Sequence, residues 1–207
     1  MNESATSLRA RKMADTSRQL SAAARARALE VGLSGFTIEE LCEHVGISRR
    51  TFFNYFASKE DALLGISARR DTTHLDELFV AGGDPRSNSI SPDLLEALAQ
   101  LAITRWRETD PEPDPEHVRQ IMAVVDQEPR LFKRILEHMS SDEKRDVALV
   151  ERREGLPAGD LRAAAAVQVL MAVMRASAFE FFTTDTTDDI ETVVARRVAA
   201  MRAVLSG

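Results

Sequence analysis

The sequence predicts an all-α protein with about nine helices. Apolar residues recur at helical spacing along most of the chain. Strand signals are nearly absent, because alternating β-branched runs are few and no Asn-Gly or Asp-Gly hairpin turn occurs. Breaks rich in Gly, Pro, Ser and Thr separate the periodic segments at residues 82–93, 109–116, 154–160 and 183–189.

Size and composition place the chain among folded proteins of one large domain or two small ones. It has 207 residues, of which 44% are hydrophobic and 29% are charged. The single Cys42 excludes an internal disulfide and a multi-cysteine zinc site, and it fits a reducing cytoplasm. The longest apolar run, residues 163–174, is shorter than the ~18 residues of a membrane span, and the basic N-terminus lacks the apolar stretch of a signal peptide. We therefore expect a cytoplasmic protein without a membrane partner.

Charge is distributed unevenly along the chain. Residues 1–70 hold 11 Lys and Arg against 8 Asp and Glu, a net charge of +3. Residues 71–207 hold 16 against 25, a net charge of −9. The asymmetry indicates a front that faces a polyanion and an acidic, solvated body, although a difference of this size also arises by chance.

The predicted elements follow from the breaks. Three short helices come first, near 16–33, 37–45 and 48–56, and six longer ones follow, near 59–81, 93–107, 116–127, 129–153, 160–182 and 188–205.

The second short helix has clear start and stop signals. Thr37 followed by Glu40 forms a capping box, and Gly46 occupies the usual position after a helix end. Cys42 lies on the apolar stripe of this helix, so it is interpreted as a small buried hydrophobe; the alternative is a nucleophile or a metal ligand together with His44. The stripe consists of Ile38, Leu41, Cys42 and Val45.

The third short helix, which Ser48 can cap, combines an aromatic inner face with a polar outer face. At about 100° per residue, Phe52, Phe53 and Phe56 cluster on one side of the helix. The other side carries Arg50, Thr51, Asn54 and Tyr55. Arg49 falls at the edge of the Phe face, where its stem is expected to run along the core. No acidic residue occurs between Ser48 and Ser58, unlike an ordinary solvated helix face.

Two short helices joined by a tight turn that contains glycine predict a helix-turn-helix, whose second helix enters the DNA major groove. Arg50 and Asn54 suit guanine and adenine edges, respectively. Thr51, Tyr55 and Lys59 are expected to contact phosphates. The full predicted DNA-binding set is Thr37, Ser48, Arg49, Arg50, Thr51, Asn54, Tyr55 and Lys59.

The stretch TIEELCEHVGISRRTFFNYFASKEDALL resembles the DNA-binding signature of the tetracycline-repressor (TetR) family of bacterial regulators. The similarity covers residues 16–65, with Ala57 where the family often has Pro and an Ala- and Arg-rich first helix in place of a more aromatic one. It implies three parts: a flexible arm (1–15), a helix-turn-helix domain (16–58) and a helical body for effector binding and dimerisation (59–207). It also implies a homodimer built on the last two helices and a repressor that a small molecule releases from a double-stranded operator.

The last helix carries an apolar stripe that includes Val194 and Val198, and the helix before it is rich in Ala. This pair fits a symmetric dimer, while packing within one chain is the simpler alternative. We favour the dimer, because one short recognition helix covers too few base pairs to specify a site. Replacing Val194 and Val198 by Glu is then expected to give a monomer.

An effector pocket is expected between the helices of the body. Met and aromatic residues at helical spacing more often belong to the hydrophobic core. For each candidate below, the alternative is therefore that it only packs in the core. Arg175 interrupts an apolar run, and pairing with Glu180 or a partner chain is favoured over binding a ligand carboxylate. The candidate set is Trp106, Met122, Met139, Met171, Met174, Arg175, Phe179 and Phe182.

Other function classes find little support. No P-loop, G-x-S-x-G, H-E-x-x-H or dinucleotide glycine pattern is present, so no enzyme, catalytic residue, cofactor or metal site is predicted. The remaining alternative is a helical scaffold whose helix-turn-helix only packs against protein. Acidic residues on the outer face would favour it, and they are missing.

Overall fold

The computed structural model describes residues 3–68, 71–109, 115–184 and 186–205, and within these residues it contains ten α-helices and no strand. The predicted all-α fold class is confirmed. The helices are α1 (Glu3–Val31), α2 (Ile38–Val45), α3 (Arg49–Tyr55), α4 (Lys59–Leu64), α5 (Thr73–Ala81), α6 (Leu94–Thr109), α7 (Pro115–Gln127), α8 (Pro129–Glu154), α9 (Leu161–Thr183) and α10 (Ile190–Leu205).

Two helices differ from the sequence prediction. The single helix predicted over 59–81 is split into α4 and α5, because Gly65 adopts a left-handed conformation (φ 72°) and the Ile66 N–H donates to the Asp61 carbonyl. The first helix begins at Glu3 instead of near residue 16, so most of the predicted arm is helical. Residues 3–15 contain no Gly or Pro, and helix propensity carries α1 through them.

The chain forms two compact units. The first consists of Met1–Arg70 and Glu112–Glu137, and the second of Asp71–Pro111 and His138–Gly207. The first unit is therefore larger than the helix-turn-helix domain predicted over 16–58. Ala62 and Leu63 of α4, Val124 of α7 and Leu131 of α8 are buried in its core.

The core of the first unit lies among α1, α2, α3 and α4, with α7 and the start of α8 packed against them. Leu20 and Ala24 of α1 are completely buried there. The α1–α2 and α1–α4 contacts form much of this frame. It holds α3 at its edge through two buried phenylalanines, which are described below.

The core of the second unit lies among α5, α6, α9, α10 and the C-terminal part of α8, which contributes Leu149 and Val150. Val194 and Val198 are almost completely buried there, with 1% and 3% of their surfaces exposed. They pack within their own chain, so replacing them by Glu would unfold this unit and not simply separate two protomers. The stripe of α10 faces inward because Ile190, Val193, Val194 and Val198 all lie on the side toward α6 and α9.

Helix α9 is long and apolar enough to cross a membrane by length and composition. Core helices of globular proteins share this length and composition.

Candidate nucleic-acid interface

The frame of the interface begins at Thr37, which caps α2 with a complete capping box. The Thr37 N–H donates to Glu40 Oε2 at 2.7 Å, and the Glu40 N–H donates back to Thr37 Oγ1 at 3.2 Å. Hydrogen bonds from the backbone and then the side chain of Thr37 lower the pKa of the Glu40 carboxyl. Thr37 is thus a structural residue as well as a candidate phosphate contact.

The turn between α2 and α3 requires a glycine at one position. Gly46 has φ 75°, and its N–H caps α2 by donating to the Cys42 and Glu43 carbonyls. Ser48 then caps α3, with Oγ accepting from the Thr51 N–H at 3.1 Å and lying 2.8 Å from Thr51 Oγ1. These local hydrogen bonds fix the turn, and the buried Phe52 and Phe56 hold α3 against the core.

Only two of the three predicted inner phenylalanines lie in the core. Phe52 and Phe56 are completely buried, whereas 43% of Phe53 is exposed. The prediction for Phe53 is wrong, because the buried side of α3 is centred between Phe52 and Phe56 and Phe53 lies about 80° from that centre at about 100° per residue. The Phe53 ring instead packs edge-on against Phe52, with centroids 5.5 Å apart.

The outward face of α3 carries Arg50 and Asn54, and both are exposed. Asn54 lies diametrically opposite the buried side, and Arg50 lies one helical turn before it. Phe53 flanks them at the surface. These three side chains form a face whose hydrogen-bonding groups and apolar ring are free to reach a base edge.

Arg49 does not run along the core as predicted. It is exposed, forms an ion pair with Glu39 of α2 at 2.7 Å, and holds its guanidinium 5.6 Å from the centre of the Phe53 ring. Glu39 and Phe53 belong to this surface, although neither was predicted as a DNA-binding residue. The position of Phe53 on the flank of the helical wheel could have indicated that it is exposed.

The remaining predicted residues border this face. Thr51 and Tyr55 are half-buried. Lys59 is also half-buried, and its Nζ donates to the Phe36 carbonyl at 2.7 Å while lying 4.8 Å from the Phe36 ring centre. Its ammonium therefore has a structural partner and keeps two further N–H donors.

Cys42 is buried on the inner stripe of α2, as its interpretation as a hydrophobe predicts. Burial raises the pKa of its thiol. Raising that pKa reduces the thiolate fraction and opposes a role as nucleophile or metal ligand.

The structure brings only part of the predicted effector set together. Trp106 packs edge-to-face against Phe181 and Phe182, and Met171 and Met174 pack on the same core. Met122 belongs to the first unit. Several of the set are exposed, including Met122, Met139, Arg175 and Phe179. Glu180 is paired with Arg196 and Arg197. Of the two pairings favoured for Arg175, with Glu180 or with a partner chain, the first is therefore not formed.

Comparison with known proteins agrees with this geometry. The family described as bacterial regulatory proteins, tetR family, matches residues 20–65, which include α2, α3 and α4. The HTH-type transcriptional regulator TcmR of Streptomyces glaucescens is 32% identical over 188 residues, covering 87% of this chain and 79% of that protein.

A crystal structure of a TetR-family transcriptional regulator from Mesorhizobium loti is 21% identical and has a TM-score of 0.48, covering 94% of this chain and 96% of that one. The local match at the helix-turn-helix and the similarity to TcmR along most of both sequences establish the relationship. The chain belongs to the TetR family of transcriptional regulators.

Proposed function

We propose that the protein is a cytoplasmic, homodimeric repressor that binds a palindromic operator and is released by a small apolar effector, with no catalytic activity of its own. The observation that carries the proposal is the outward face of α3. It presents Arg50, Asn54 and Phe53 beyond a rigid core, and it carries no acidic side chain.

The base-reading roles follow from hydrogen-bonding geometry. Arg50 donates to O6 and N7 of a guanine, and Asn54 pairs with N6 and N7 of an adenine. The exposed Phe53 ring supplies an apolar contact for a thymine methyl group. Phosphate contacts come from the residues that border this face, namely Thr37, Ser48, Arg49, Thr51, Tyr55 and Lys59.

The dimer is supported by the uncovered side of α9. Six residues at alternating spacings of four and three lie on one face, directly opposite the buried residues of the same helix. Two of them are large and strongly exposed: Leu161 at 83% and Phe179 at 69%. The face consists of Leu161, Ala165, Gln168, Ala172, Arg175 and Phe179. Four of the six residues are apolar, and a helix face of this length suits a second copy of the same helix.

Replacing Phe179 by Glu tests this face without disturbing the core. Analytical ultracentrifugation should show a monomer, because the substitution removes the largest apolar side chain of this face and adds a charge where two copies would meet. Leu78→Glu is the matched control, since Leu78 is similarly exposed but lies on α5. A Phe179→Glu protein that sediments as the wild type does would contradict the proposed interface.

Selection of bound DNA from a random pool tests operator binding. We expect an inverted repeat whose half-sites are separated by about one helical turn, ~10 base pairs, or a multiple of it. Recovery of sequences without symmetry would contradict the dimeric mode of binding. Release by an effector further requires that the effector bind the DNA-incompetent state more tightly.

A further inference from the structure

The second unit contains a groove between α6 and α10, and the predicted effector residues do not line it. Its volume is about 510 Å³, within the range typical of small-molecule sites. The floor consists of buried apolar residues, Ile103, Val194 and Val198, and the facing positions Ala99, Ala195 and Ala199 are small. The small side chains leave the space between the two helices open.

An ion pair closes each end of the groove. Glu96 of α6 pairs with Arg202 of α10 at one end. At the other end, Arg107 of α6 pairs with Glu191 of α10 at 2.6 Å. Each helix advances eleven residues between these pairs, so the groove is about 16 Å long at 1.5 Å per residue. Its shape suits a slender, elongated molecule.

At the Glu96 end, the hydrogen bonding of the carboxylate is incomplete. Oε1 of Glu96 accepts from Arg202, but Oε2 is shielded from solvent, and no hydrogen-bond donor reaches it from the described part of the chain. A shielded carboxylate oxygen without a donor is costly. Arg202 is half exposed, so its side chain can move aside, and an incoming ammonium group can then pair with the carboxylate.

We propose that the α6–α10 groove binds a linear apolar molecule with a cationic amine head, which lies against Glu96 while the apolar chain runs over Ile103 and Val198. The charges at the two ends sum to zero, since Glu96 pairs with Arg202 and Glu191 with Arg107, so the preference for a cation rests on the Glu96 oxygen that no donor from the described residues reaches. The proposal names the effector class of the proposed repressor, and only its regulatory part rests on that function.

Isothermal titration calorimetry with octylamine, octanol and octanoate, which share one apolar chain, tests the head-group preference directly. Octylamine should bind with a stoichiometry of one per chain, and octanoate should bind roughly tenfold or more weakly, because a charge-assisted hydrogen bond contributes about 1.5–3 kcal/mol. Equal or tighter binding of octanoate, or no binding of octylamine, would overturn the proposal.

Two pairs of variants locate the site. Glu96→Gln should weaken octylamine binding about tenfold or more, while Glu77→Gln, which alters an exposed Glu–Arg pair on α5, should leave it unchanged. Ala199→Leu fills the groove and should abolish binding, whereas Ala200→Leu places the same side chain at the next exposed position of α10, outside the groove. Octylamine binding that survives Ala199→Leu would overturn the site, even if Glu96→Gln proved unstable.

Two further measurements distinguish a ligand site from a contact between copies, and a regulatory ligand from one that only binds. Sedimentation of Ala199→Leu should match the wild type; a change in oligomeric state would make the groove a contact between copies and overturn the proposal. Operator affinity with and without octylamine is measured separately. Octylamine that binds without weakening operator binding would overturn the regulatory part and leave the ligand site standing. Absence of any operator would overturn the proposed function and not the groove.

Discussion

Short-range capping contacts define the helix-turn-helix, whereas long-range ion pairs join the helices of the second unit and also tie α4 to α8 in the first, where Arg134 donates to both oxygens of the buried Asp61. In the helix-turn-helix, the capping pairs Thr37–Glu40, Ser48–Thr51 and Ser58–Asp61 each join residues three positions apart. In the second unit, Arg105 of α6 joins Asp76 of α5 and Asp146 of α8, across 29 and 41 residues. The capping pairs form between residues that are close in sequence. The ion pairs of Arg105 form only after distant helices have packed together.

The second unit repeats this long-range pattern at its 82–93 loop. The carboxylate of Glu154 is buried and accepts from both the N–H and the hydroxyl of Ser91. Arg153 donates to the Phe79 carbonyl at 2.6 Å and lies 4.8 Å from the centre of the Phe79 ring. The helix-turn-helix is thus capped largely by local contacts, and the second unit is held by buried charges that join distant helices. The following changes test this difference.

Phe52→Ala should destabilise the first unit most, by about 3–5 kcal/mol, because it leaves a cavity in the core under α3. Phe53→Ala is the matched neighbour and should cost less than about 1 kcal/mol, since its ring is largely at the surface. Urea denaturation measures both. Similar losses for the two variants would place Phe53 in the core and contradict the assigned face of α3.

Arg105→Met should destabilise the second unit by about 3 kcal/mol, because it leaves the carboxylates of Asp76 and Asp146 in a buried site with only part of their partners. Arg152→Met removes an exposed pair with Glu77 and should cost less than about 1 kcal/mol. Thermal unfolding of both proteins gives the comparison, and equal shifts would show that the buried charge cluster does not hold the body.

Thr37→Ala should cost about 1 kcal/mol by removing the cap of α2. Glu43→Ala, at an exposed position of the same helix outside the capping box, should have a much smaller effect. Hydrogen exchange of α2 amides reports the loss locally. Protection that is unchanged in Thr37→Ala would contradict the role of the box.

The capping box should also make stability depend on acid pH. The hydrogen bonds from Thr37 hold the pKa of Glu40 below its unfolded value. Its contribution is therefore present above the unfolded pKa of about 4.3 and is lost as pH falls through the lower folded value. Glu40→Gln should flatten this part of the stability profile between pH 5 and 3 in urea titrations, relative to Glu43→Gln.

The difference between local and long-range contacts also explains which features could be predicted from the sequence. The boundaries of α2 and α3 were anticipated within one residue, because Thr37, Gly46 and Ser48 act on their immediate neighbours. Phe53 was misplaced since a helix of seven residues has room for few buried positions, and their centre depends on what packs beneath it. The break at Gly65 was missed because a single glycine ends a helix only when the following chain can turn away.

For the body, the sequence predicted the helices but not which faces of them pack together. The stripe of α10 was visible, but whether it faced another copy or its own chain depended on the positions of α6 and α9. Arg175 and Glu180 are close in sequence, yet Glu180 pairs with Arg196 and Arg197 across a helix–helix contact. Small residues such as Ala195 and Ala199 gave no sequence signal of a groove, since space between helices arises only when two such faces meet.

If α3 reads bases through Arg50, the ratio of operator to random-DNA affinity depends on that side chain. Fluorescence anisotropy with the selected operator and a scrambled duplex, at two salt concentrations, gives this ratio for each protein. Arg50→Ala should cost about 1–3 kcal/mol on the operator and relax preference at one base pair per half-site. Lys59→Met should weaken both duplexes alike and lower the salt slope by about one unit per site contacted. An Arg50→Ala protein whose operator-to-random ratio equals that of the wild type would contradict base reading by this face.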